Sequence, residues 1–188
     1  MPDAAARAVL AALVDALTSS QRLGMLGDRP IAEVIDHAGA FVTALASVTG
    51  TVVDLGAGGG VPGLVIAARR PDLRVVLVDR RATRTDHLRR LVRRLGFTDH
   101  VEVETADAAA LAGRQADAVV ARGFGPPGVT LAAAAAVTSV GGTIVISEPP
   151  VPAPGRWPPS LLATCGVSVV RSPDSRVAVF RRDVPRET

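Results

Sequence analysis

Residues 51–63 read TVVDLGAGGGVPG. An apolar run closes on an acid, Asp54, and a glycine-rich turn leads into a segment opening with Pro62. This order predicts a strand over 51–55, a loop, and a helix over 61–69 with Pro62 in its first turn, where a missing N–H costs nothing. Glycines let a backbone approach a ligand closely. The loop lies at the carboxyl end of a strand, where open α/β sheets bind ligands.

Outward from this stretch the pattern repeats. Strands are expected at 74–79 (RVVLVD), 101–105, 116–121 (ADAVVA) and 143–147 (TIVIS), and helices at 83–95, ending at Gly96, and at 129–137. Such alternation predicts βα units around a parallel sheet covered on both faces. After proline-rich residues 148–159 a short helix is expected over 161–165. Two strands, 167–171 and 176–180, flank the turn Ser172-Pro173-Asp174-Ser175 and should pair antiparallel. Before residue 51, apolar positions at helical spacing predict helices over 4–17 and 31–48, with a loop over 18–30. The expected whole is one α/β domain of 188 residues: a helical cap over 1–48 and a sheet over 51–182. A mostly parallel, Rossmann-like seven-stranded sheet ending in an antiparallel hairpin is the plan of class I methyltransferases.

Composition sets limits. No apolar run approaches the ~20 residues needed to span a bilayer. Asp3, Arg7 and Asp15 interrupt any signal-like core near the N-terminus. The single cysteine, Cys165, excludes an internal disulfide and offers no metal cluster. A cytoplasmic, monomeric protein without metal is the expectation. All 21 basic residues are arginine, and ten lie between Arg69 and Arg94. That cluster reads either as a nucleic-acid face or as a solvated helix surface.

Asp54-Leu55-Gly56-Ala57-Gly58-Gly59-Gly60 spells acid-x-G-x-G-x-G. The dinucleotide pattern G-x-G-x-x-G is also met by Gly58, Gly60 and Gly63. An acid two residues before the first glycine suits a cationic amino group and repels a pyrophosphate. Together with the terminal hairpin, this favours S-adenosylmethionine as cofactor over a nicotinamide or flavin nucleotide. Asp79, at the end of its strand, is expected on ribose hydroxyls or as a helix N-cap. Asp107 with the amides of Ala108 and Ala109 is expected at the adenine, or on the surface. Arg122, after the strand neighbouring 51–55, is expected in the cleft, where a guanidinium binds a carboxylate, a phosphate or a base edge. His87 reads as exposed, and His37 as a candidate on the substrate side. Trp157 reads as packing or as a base-stacking group, and Cys165 as a buried apolar residue.

On DLGAGGGVPGLVIAARRPDLRVVLVD, RRATRTDHLRRLVRRLGF and ADAVVARGF, the chain resembles the RsmG (GidB) family of 16S rRNA guanine-N(7) methyltransferases over roughly residues 20–147. The resemblance implies an S-adenosylmethionine-dependent enzyme acting on 16S rRNA in the small ribosomal subunit. It places donor-binding positions at Gly56, Val61, Ala108, Ala109 and Arg122; Asp54 and Asp79, with Gly58 and Gly60, fit general methyltransferase roles. The chain departs from the family pattern at 23–26, 38–41, 107–110 and 147–148, mainly on the presumed substrate side. A methyltransferase with another substrate, or a donor-binding protein without activity, are the competing readings.

Overall fold

The computed structural model describes residues 4–151 and 153–183. In chain order the elements are α1 (Ala4–Arg22), α2 (Ile31–Ala44), β1 (Thr51–Leu55), α3 (Gly63–Arg69), β2 (Arg74–Asp79), α4 (Ala82–Leu95), β3 (Val101–Thr105), a 3-10 turn (Ala108–Leu111), β4 (Ala116–Ala121), α5 (Pro127–Val137), β5 (Thr138–Ser147), α6 (Pro159–Cys165), β6 (Val167–Val170) and β7 (Val177–Arg182). Seven strands form one sheet in the order β3-β2-β1-β4-β5-β7-β6. The first five are parallel; β7 runs antiparallel between β5 and β6. The parallel sheet with a terminal antiparallel hairpin is thus as expected.

The central strands are apolar on both faces because helices cover both. Val52, Leu77, Val120 and Val145 pack beneath α1–α4 with Leu17, Phe41, Leu64 and Leu88. Val53, Val76, Val119 and Ile144 pack against Leu111, Leu131, Cys165 and Phe180 on the opposite face. The strand period of two then fixes direction. Asp54 shares the face of Val52, and Arg122 continues that of Ala118 and Val120, so both point toward the α1–α4 layer. Gly56 and Arg122 lie side by side just beyond the β1–β4 register that pairs Leu55 with Ala121.

Several boundaries move for identifiable reasons. Helix α1 runs through 18–22 instead of ending at 17. The hydroxyls of Thr18 and Ser19 donate back to the carbonyls of Val14 (2.8 Å) and Ala16 (2.6 Å), absorbing the polar run into the helix. Helix α2 stops at Ala44 rather than continuing to 48. Helix α3 begins at Gly63, with Pro62 as its N-cap. Strand β5 starts at Thr138, and its register against β4 shifts between the Ala116–Thr138 and Ala118–Thr143 pairs, around Gly141-Gly142. Among the described residues, no helix is long and apolar enough to cross a membrane.

Helix α4 carries a second correction. His87 is buried, not exposed, at 5% relative accessibility. Its Nε2 lies 2.9 Å from the Ser20 hydroxyl of α1, tying the cap to the sheet layer. Burial, then the charge of Arg90, lowers the His87 pKa below its ordinary 6.5. A depressed histidine stabilises the fold fully above the unfolded-state value and loses that contribution as pH falls through the folded one. Wild-type unfolding midpoints in urea should therefore drop below about pH 6.5 more steeply than those of His87→Gln. Ser20→Ala should cost about 1 kcal/mol at pH 7.5. Equal pH slopes for wild type and His87→Gln would refute the assignment.

Candidate functional site

A cavity of about 550 Å³ opens at the carboxyl ends of β1, β2, β3 and β4, within the range typical of small-molecule sites. Gly56 forms its floor, Asp79 and Asp107 one wall, and Phe124 and Val129 the other. The floor depends on Gly56, whose φ is +72°. A Cβ there would sit 2.9 Å from the Phe124 ring.

Asp79 organises the loop. Its Oδ2 accepts from the Gly58 amide (3.1 Å), and Arg84 Nη1 lies 3.4 Å from the same oxygen. Its Oδ1 accepts from the Arg81 amide (2.9 Å) at the start of α4. Asp79 thus lines the cavity but is not the helix cap that the sequence also allowed: Arg81 holds the N-cap position of α4 without a side-chain cap bond, and Asp79 accepts from that residue's amide. Asp107 lines the cavity too, while its Oδ1 accepts from the Ala109 amide (3.0 Å), capping the 3-10 turn. The Ala109 N–H is thus already engaged, and of the two alanines it is Ala108 that lines the cavity.

Other sequence-selected residues stand behind the loop. Asp54 is 1% exposed; its Oδ2 accepts from the Gly63 amide (2.8 Å), and its Oδ1 is buried with no partner among the described residues. Burial is the main cause that pushes its pKa up to about 7, opposed by the Gly63 hydrogen bond and by the Arg122 charge. Gly58, Gly60 and Val61 are buried beneath the turn, Gly60 against Leu64 and Leu88. Arg122 was expected in the cleft, but strand parity turns it away from this cavity toward Asp54. It is half-buried and has no side-chain hydrogen bond among the described residues. Desolvation, then the Arg29 charge, lowers its pKa, and Asp54 opposes them. His37 lies in the field of the same arginines, and its Nε2 is buried without a partner among the described residues.

The arginine cluster divides into different jobs. Arg80, Arg81 and Arg84 line the cavity beside Asp79, which the sequence reading had not separated from the rest. Arg70 is structural: it donates to the carbonyls of Leu45 and Val48, both at 2.8 Å, and pairs with Asp72 at 2.6 Å. Arg89 pairs with Asp86 at 2.8 Å and donates to Thr105 Oγ1 at 3.0 Å. The signal separating them was position: Arg80, Arg81 and Arg84 all lie within five residues after a strand-end acid.

Comparison with known proteins bears on this site. A family model described as rRNA small subunit methyltransferase G matches residues 12–148. The ribosomal RNA small subunit methyltransferase G of Nocardioides sp. is 53% identical over 70 residues, 37% of this chain and 28% of that protein. The protein of the same name from Acidothermus cellulolyticus is 37% identical over 112 residues, 58% of this chain and 50% of its own length. The chain thus spans no more than about half the length of these relatives. Among solved structures, an O-methyltransferase family protein from Burkholderia thailandensis superposes with a TM-score of 0.62 at 18% identity, covering 82% of this chain and 57% of that one. Geranyl diphosphate methyltransferase in complex with SAM superposes at 0.60 and 16%, covering 79% and 85%. These structures establish the class I methyltransferase fold. With its glycine loop, its β2 acid and its Arg122 all inside the matched residues 12–148, the chain belongs to the rRNA small subunit methyltransferase G family.

Proposed function

We propose that this protein transfers a methyl group from S-adenosylmethionine to N7 of a guanine in 16S rRNA of the small ribosomal subunit. The observation that carries the reading is the glycine-loop cavity bounded by Asp79 and Asp107, set within a chain of this family. The residues present fit the donor. Gly56 leaves room over the floor, and Phe124 supplies an apolar wall. Asp79 keeps lone pairs for ribose hydroxyls beside those committed to Gly58 and Arg81. Asp107 and Ala108 stand where the adenine would rest. Asp54, behind the loop and outside the cavity lining, seats the loop through the Gly63 amide, with the Arg122 charge beside it.

When bound, the donor supplies an electrophilic methyl on a sulfonium. N7 of guanine carries a free lone pair, so no general base is required of the protein. What its residues contribute is alignment and exclusion of water. The exposed Arg80 and Arg81 at the rim suit RNA phosphates, which position a substrate without reading its sequence. Binding of RNA should then weaken steeply with salt.

Calorimetry with S-adenosylmethionine and with NAD should give binding of the first alone; binding of NAD alone ends the claim. Nucleoside mass spectrometry of 16S rRNA from a deletion strain should then show loss of 7-methylguanosine. An unchanged level alongside donor binding would move the activity to another acceptor.

A further inference from the structure

The proline-rich segment after β5 is not a featureless linker. A cavity of about 210 Å³ shares Gly123, Phe124 and Gly125 with the donor cavity, and shares Glu148, Pro149 and Arg156 with a third of about 360 Å³. The three form one groove across the carboxyl ends of β4 and β5, running from the donor cavity to Trp157.

The far end of the groove is built around Glu148. One of its oxygens accepts from the Trp157 indole N–H, and the other lies 3.0 Å from Arg156 Nε. The Arg156 contact is electrostatic, without hydrogen-bond alignment, and that Nε is buried without another partner among the described residues. The Arg156 guanidinium lies 5.1 Å from the centre of the Trp157 ring. Trp157 is itself fixed edge-on against Phe180, with ring centres 4.9 Å apart at 71°. A flat cation is thus held between a carboxylate and an indole, with Pro149 and Pro150 lining the same space.

Resting on the methyltransferase reading above, we propose that this groove receives the acceptor nucleobase of a single-stranded nucleic acid, stacked on the Arg156–Trp157 platform and led toward the donor cavity. Guanidinium planes and aromatic rings are the groups on which splayed-out bases stack. Glu148 balances the Arg156 charge, which makes the site a poor phosphate trap and leaves stacking as its main attraction. Phosphate attraction falls to Arg80 and Arg81, at the rim of the donor cavity.

Trp157 is the one tryptophan of the chain, and there is no tyrosine, so its emission reports on this groove directly. The test titrates the pentaribonucleotide UUGUU into full-length protein saturated with S-adenosylhomocysteine, after calorimetry has established that the analogue binds. Saturable quenching is expected. Arg156→Ala should weaken it about tenfold, within what stacking contributes per base, and leave the analogue's affinity unchanged. Arg156→Lys should weaken it equally, because it keeps the charge and loses the plane. Absence of quenching while the analogue binds overturns the groove assignment alone, and wild-type affinity in Arg156→Lys overturns the stacking platform. Failure of the analogue itself to bind overturns the donor reading and this inference with it.

Discussion

Asp54→Asn should make the protein more stable at pH 8 and leave donor binding nearly unchanged. Asp54 has a folded pKa of about 7 against an ordinary 3.8. Between those values the native state holds a proton that the unfolded chain has lost. The stabilisation from this group is therefore complete below the ordinary value and gone above pH 7, where the native state carries a buried carboxylate. Three pKa units correspond to about 4 kcal/mol. Asparagine keeps an oxygen for the Gly63 amide, and its unpaired NH₂ costs about 1–3 kcal/mol where Oδ1 now stands. The net gain at pH 8 should be about 2 kcal/mol, or about 6 °C in melting temperature for a chain of this size. At pH 5 the native aspartic acid is already neutral, and the gain should vanish or reverse. Donor affinity, measured by calorimetry at pH 8, should stay within about twofold of wild type, because Asp54 lines no part of the cavity and asparagine keeps the bond to the Gly63 amide. Parallel melting-against-pH curves for the two proteins would sink the idea that Asp54 is an acid held at the cost of its burial.

That Asp54 lies behind the loop was legible in principle. Val52 and Asp54 alternate with Val53 and Leu55, and Ala118, Val120 and Arg122 alternate likewise, so one choice of face sends acid and arginine the same way. Motif spacing located the loop but was silent on direction, because β1 is apolar on both faces. His87 was hidden by its arginine neighbours, although with Thr85, Leu88, Leu91 and Val92 it completes the buried stripe of α4. The hairpin was plain because a Ser-Pro-Asp-Ser turn separates two β-branched runs. The extension of α1 was not, because residues that usually end helices back-bond to its carbonyls. The joining of Glu148, Arg156 and Trp157 depends on how a proline-rich loop folds over β7, and no periodicity encodes that.

Gly63→Ala should be among the most damaging single methyl additions in the chain. Gly63 closes the VPG sequence and opens α3, and its amide holds Asp54. A Cβ at this position would lie 2.2 Å from Leu77 Cδ2 and 2.6 Å from Asp54 Oδ2. Real Cβ atoms do not approach so closely, and both neighbours are fixed: Leu77 is fully buried in β2, and Asp54 is buried in β1. Overpacking of this kind costs about 1–3 kcal/mol, occasionally more, and here it also strains the hydrogen bond that seats the loop. A loss of about 3 kcal/mol, near 9 °C, is expected, with donor affinity falling in the fraction that stays folded. Gly27→Ala is the control: it is exposed and nothing lies within 4 Å of its added Cβ, so it should stay within about 0.5 kcal/mol of wild type. Because the nearest obstruction is the Leu77 methyl, Leu77→Ala should cost less in the Gly63→Ala background than alone, by about 1 kcal/mol or more. Strict additivity of the two changes would mean that α3 shifts as a body to accommodate the methyl, and that the loop is not pinned from behind.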